Sequence, residues 1–185
     1  MQKTTFLLGL SAIFLSAAVN AHNLRLNANL PAVSVQQEGE ILVKGNDVAY
    51  QPWQSNSLAG KVRVLQHMAG RSSVKEKNEA LINAIKAAHF SPAVYQTTTI
   101  INADDAVFGT GPFVKSSAEK GKKANAHSQV VLDKSSAVKN AWALKEKESL
   151  ILVLDKSGKV QFAHEGQLNP QQIEQVIELV KKLTN

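Results

Sequence analysis

The run Ser149-Leu150-Ile151-Leu152-Val153-Leu154-Asp155-Lys156-Ser157-Gly158-Lys159-Val160-Gln161-Phe162-Ala163-His164 decides the fold class. Two apolar strands, over 149–154 and 159–164, flank the turn residues Asp155, Ser157 and Gly158. That pattern predicts a β-hairpin. The chain then reads Asn169-Pro170-Gln171-Gln172, with a capping Asn, a Pro suited to the first helical position and a Gln at the third. A last helix follows, with Ile173, Val176, Ile177, Val180 and Leu183 as its buried stripe.

Working outward, residues 62–68 form a nearly continuous apolar strand, expected to be mostly buried. Ala69-Gly70-Arg71-Ser72-Ser73 is a turn leading into a helix over 74–89, capped by Ser72 or Ser73. In that helix Val74, Leu81, Ile82, Ile85 and Ala88 share one face. Residues 95–102 are a β-branched strand that ends at Asp104 and Asp105. A loop carrying Gly109, Gly111 and Pro112 leads to a basic helix over 115–125, interrupted at Gly121. A strand over 129–133 and a short helix over 136–144 complete the middle, and residues 39–43 and 47–53 suggest an N-terminal hairpin. The order predicts an α/β protein: a mixed sheet with flanking helices and an N-terminal strand extension.

The chain has 185 residues, 44% hydrophobic and 19% charged, which is globular composition. With no repeat and no linker, residues 22–185 read as one domain. Residues 1–21 read as a signal peptide: Lys3, then an uncharged apolar run from Phe6 to Val19, then Val19-Asn20-Ala21 as a cleavage site. The run is too short to span a bilayer, and no later apolar run exceeds about ten residues. An exported mature protein beginning at His22, without an integral membrane segment, is therefore expected.

No cysteine is present, so disulfides, thiolate metal sites and thiol catalysis are excluded for this chain. The five histidines form no metal-binding spacing, and neither metal nor cofactor is expected. His22 alone could pair a freed amine with its own imidazole, but it lacks a second ligand. Aromatic residues make up 5%, which argues against a nucleic-acid stacking surface. The lysines at 115, 120, 122 and 123 read as a solvated helix face. Trp53 and Trp142 read as core.

Leu58-Ala59-Gly60-Lys61-Val62-Arg63-Val64-Leu65 and Ile151-Leu152-Val153-Leu154-Asp155-Lys156-Ser157-Gly158-Lys159-Val160 resemble thioredoxin-like proteins of the peroxiredoxin and thiol-reductase type. Residues 61–78, with Tyr95-Gln96-Thr97-Thr98-Thr99-Ile100 and Asn102-Ala103-Asp104-Asp105-Ala106, resemble more closely the YtfJ family of small periplasmic proteins of Gram-negative bacteria. The resemblance spans roughly residues 30–184 and implies a thioredoxin-like fold and a periplasmic address. It places Ser72 and Lys75 where redox thioredoxins carry Cys-x-x-Cys, and Ser149 near the position of their cis-proline. A Ser hydroxyl is not ionised near pH 7 and cannot cycle between redox states, so disulfide exchange and peroxide reduction are rejected.

The vacated face offers a candidate site of His67, Arg71, Ser72, Ser73, Asp104 and Asp105 at strand ends, with Phe108 and Phe113 as a contact patch. One expectation is a non-redox binding module for a periplasmic protein partner, with an exposed apolar rim at Phe108 and Phe113. A second is a small anionic ligand in a closed pocket, held by Arg71 with an aspartate pointing in. A third, weaker one is a hydrolase with Ser72 as nucleophile and His67 or Lys75 as base. The plain alternative is structural: a serine caps the helix, Arg71 pairs with Asp104 or Asp105, and strand alternation buries His67.

Overall fold

The computed structural model describes residues 22–185; the signal-peptide reading of residues 1–21 lies outside the described residues. The elements run β1 (Ser34–Lys44), β2 (Asp47–Gln54), β3 (Val62–Ala69), α1 (Ser72–Lys77), α2 (Glu79–Ala87), β4 (Tyr95–Asn102), α3 (Gly111–Ala124), β5 (Gln129–Asp133), α4 (Ala137–Trp142), β6 (Ser149–Leu154), β7 (Val160–Glu165) and α5 (Pro170–Thr184). All strands join one sheet of order β2-β1-β5-β4-β3-β6-β7. The strands β3, β4 and β5 are parallel, while β6, β7, β1 and β2 run antiparallel to their neighbours. This is the expected mixed sheet, and the N-terminal hairpin extends it beyond β5.

Alternation along the central strands divides the core between the two faces of the sheet. Leu65, Ile100, Val131, Leu150 and Leu152 pack with Trp142 and Val138 of α4 and with Trp53. Val62, Val64, Ile151 and Val153 face the other way, onto Leu81 and Ile85 of α2 and Val176 and Val180 of α5. Both tryptophans are thus core, as expected. Strands covered on both faces bury every position, so the runs over 62–68 and 149–154 are mostly apolar and hardly alternate, with Arg63, Gln66, His67 and Ser149 as buried polar exceptions.

Local chemistry sets the turns. Asn169 accepts the Gln172 amide and Gln172 accepts the Asn169 amide, each at 2.9 Å, so the expected capping box opens α5. The Asp155 carboxylate accepts the amides of Ser157 and Lys159 and closes the β6–β7 turn. Between Val35 and Glu40 the register of β1 shifts in a bulge. Gly39 lies there at φ +77°, where a Cβ would stand 2.1 Å from the Gln51 carbonyl oxygen, so only glycine fits.

Two helices differ from expectation. The helix over 74–89 is broken at Asn78, whose side chain is buried and donates to Ser149 Oγ and the Gly166 carbonyl while accepting the Leu168 amide. Those distant partners offset what the helix loses by stopping. The basic helix begins at Gly111, not 115, and runs through Gly121 without a break. Pro112 suits its first turn, and a single exposed glycine costs a helix only about 1 kcal/mol.

Candidate functional site

Strand β3 delivers Ala69-Gly70-Arg71 to the carboxyl edge of the sheet. Arg71 is extended (φ −129°, ψ 136°), and its carbonyl accepts the amides of Val74 and Lys75 to start α1. Arg71 therefore occupies the cap position. Ser72 and Ser73 lie inside the helix, exposed, and neither caps it through its side chain. The expected serine cap is corrected: the helix starts at Ser72, two residues before the expected position 74, so both serines fall within its first turn.

Arg71 reaches across to the loop after β4. Its Nε donates to the Asp105 carbonyl at 2.8 Å, and its Nη2 stands 3.6 Å from Asp105 Oδ1. The other Asp105 carboxylate oxygen accepts the Lys147 amide. Asp104 accepts the Ser136 hydroxyl at 2.8 Å. Both aspartates are thus held in internal contacts, and neither points into a pocket with Arg71.

His67 is 2% exposed and lies on the α4 side of the sheet, with no partner at Nε2. Burial pushes its imidazole down to about 4; Asp133 and Asp105 oppose this, and Lys139 adds to it. The neutral imidazole belongs to a sealed polar layer at the strand ends. The buried Asp133 carboxylate there accepts the Ser135 amide and hydroxyl at one oxygen and the Val138 amide at the other. Ser136, left-handed at φ +52°, holds Asp104 and stands 3.2 Å from Asn102 Oδ1. Asp133, Asn102 and Ser136 were not among the expected site residues. Asn102 and Asp133 leave one trace in the sequence, a polar residue closing each of two strands, and Ser136 stands before α4.

On the opposite side of β3 and β4 lies an open cleft of about 330 Å³. Met68, Ile101 and Val114 form its apolar floor, Val107 and Phe113 its rim, and Arg71 and Lys75 contribute its charge. Gly70 packs so close beneath α3 that a Cβ would stand 3.2 Å from Val114 Cγ1. Val107 is exposed, Phe113 is 76% exposed and Phe108 is fully exposed beside the cleft. Of the expected residues, Arg71, Ser72 and Phe113 line this cleft; His67, Ser73, Asp104 and Asp105 do not. Phe113 belongs to the first turn of α3 rather than to a loop. Lys75 was expected only as a base for Ser72, and the floor was missed, because the cleft exists only once α3 is folded against β3 and β4.

Among the described residues, Ser72 makes no hydrogen bond to His67 or Lys75, the contact that the hydrolase expectation required. Three lysines of the basic stretch are engaged internally: Lys115 with Glu38, Lys122 with the Ala126 and Ser128 carbonyls, and Lys123 with the Asn46 carbonyl. Among the described residues no group of three or more His, Cys, Asp or Glu could hold a metal ion. No helix among them is long and apolar enough to cross a membrane.

The strand order, the parallel centre and the β6–β7–α5 end define a thioredoxin-like protein whose strand-to-helix turn carries no cysteine. Residues 24–183 match the model of a family described as bacterial protein of unknown function (YtfJ_HI0045), and the chain belongs to that family. It is 56% identical over 184 residues to a Haemophilus influenzae protein described as uncharacterized, covering 100% of both chains. It is 44% identical over 177 residues to the Escherichia coli protein YtfJ, covering 96% of each. Among solved structures, the thioredoxin domain of a thiol-disulfide oxidoreductase from Bacteroides vulgatus superposes with a TM-score of 0.56. Its identity is 17%, over 88% of this chain and 99% of that one.

Proposed function

We propose that the protein is an exported, non-redox binding module that takes a periplasmic protein partner at the cleft between β3, α1 and α3. The observation that carries this reading is the exposed Val107–Phe108–Phe113 rim around an apolar floor. Exposed apolar patches on a soluble fold mark interaction sites. The rim surrounds the turn where the thioredoxin resemblance places the dithiol, so recognition at this face is kept while thiol chemistry is gone. The apolar signal run in residues 1–21 supports export. The small-anion reading expected a closed pocket with an aspartate pointing in beside Arg71; the cleft is open, and neither Asp104 nor Asp105 lines it.

The test is photocrosslinking in cells from position 113, with position 156 as the control. Lys156 lies in the β6–β7 turn, at the opposite end of the sheet, where its carbonyl accepts the Gly60 amide. The reading predicts a discrete heavier species from 113 and none from 156. Equal or absent crosslinking at the two positions would overturn it.

A further inference from the structure

The charge of the cleft narrows what its partner presents. Arg71 and Lys75 are the charged side chains that line it, and no carboxylate does. Lys75 is exposed, and its ammonium makes no ion pair or hydrogen bond among the described residues. Arg71 bonds through Nε and approaches Asp105 with Nη2, and Nη1 has no partner among those residues. The nearby carboxylates are engaged outside the cleft, Asp104 by the Ser136 hydroxyl and Asp105 by the Lys147 amide and Arg71. An apolar floor thus opens to solvent past two cations with unused donors.

Resting on the binding reading above, we infer that the cleft receives a large apolar side chain flanked by a carboxylate, on an acidic, apolar segment of another protein. The floor of Met68, Ile101 and Val114 takes the apolar group, and Lys75 and Arg71 Nη1 meet the acid. Size argues for a chain segment over a free small carboxylate. The volume, about 330 Å³, is near the low end for small-molecule sites. A ligand confined to it leaves Phe108 uncovered, because Phe108 stands outside the lining and is fully exposed. Of the four large apolar residues exposed among the described residues, three lie between 107 and 113, so the occupant must cover more than the cleft. Charge argues against a second copy of this chain. A two-fold contact through this face would set Arg71 and Lys75 against their own equivalents.

The experiment uses the purified protein and two short fluorescent peptides, each with a central leucine–phenylalanine pair. One flanks the pair with aspartates, the other with lysines. Anisotropy titration at low salt should show the acidic peptide binding about tenfold more tightly, with the gap closing as salt screens it. Lys75→Glu should weaken the acidic peptide about fivefold and strengthen its basic twin, and Lys75→Gln should fall between. Equal binding of the twins, indifference to Lys75→Glu, or no acidic-peptide binding at about 1 mM would each overturn the inference. So would dodecanoate binding in place of the peptide, or self-association that Phe108→Ser abolishes. If the charge preference fails while crosslinking from position 113 persists, the binding reading stands without it. If Phe108→Ser changes neither crosslinking from position 113 nor peptide binding, the binding reading itself falls.

Discussion

Two regions meet at the carboxyl ends of β3 and β4, on opposite faces of the same strands. On one side His67, Asn102, Asp133 and Ser136 form a sealed polar layer. On the other, Met68 and Ile101 floor an open, apolar cleft. The polar layer has the residue types of an active site, and its Asp133 and Ser136 are spent on holding α4 and Asp104. The cleft has few such residues and is what solvent reaches. In this chain residue chemistry marks stability, and exposure marks the face proposed above for recognition.

The largest expected effect breaks the polar side. Asp133→Ala removes a buried carboxylate that accepts two amides and a hydroxyl, and strands those donors. We expect a loss of about 3 kcal/mol in urea unfolding, with Asp133→Asn in between. A loss below about 1 kcal/mol would make the layer incidental.

The polar side should also be acid-sensitive. His67 titrates at about 4 when folded and at the ordinary 6.5 when unfolded. As pH falls, the unfolded chain takes up this proton first. The contribution is therefore complete above pH 6.5 and lost as pH falls through 4, up to about 3 kcal/mol. Urea midpoints at pH 7, 5 and 4 measure it. His67→Leu should flatten that slope, and an unchanged slope would remove His67 from the account.

Arg71 links the two regions. Arg71→Ala should cost about 1 kcal/mol, because its partner is a main-chain carbonyl and its ion pair is long and partly exposed. The smallest effect on stability belongs to the cleft rim. Phe108→Ser and Phe113→Ser should each change unfolding by less than about 0.5 kcal/mol, since both side chains are already in water. The same changes should abolish crosslinking to a partner. A large stability loss at Phe113 would assign it to packing instead.

Elements built from local pattern were legible in the sequence. The apolar runs over 62–68 and 149–154, the Asp155 turn and the Asn169–Gln172 box all state their structure within a few residues. The features that were not legible depend on contacts across the chain. Asn78 breaks its helix for partners at 149, 166 and 168, and the helical period around it predicts continuity. The candidate site was half legible. Its place at the strand ends and the Phe108–Phe113 patch followed from sequence order, and burial by alternation was already the plain alternative for His67. Which polar residues face the cleft was not legible, because Asp104 and Asp105 are engaged by Ser136 and Lys147, more than thirty positions downstream.

The most direct test of the cleft as the recognition face is photocrosslinking in cells from position 72, at the cleft mouth, with a photoreactive residue replacing Ser72. It should be run in the natural background and in one carrying Phe108→Ser and Phe113→Ser at equal abundance. The account predicts one discrete, heavier adduct that disappears in the second background. No adduct from folded, exported protein, or an adduct of equal intensity in both backgrounds, would contradict it.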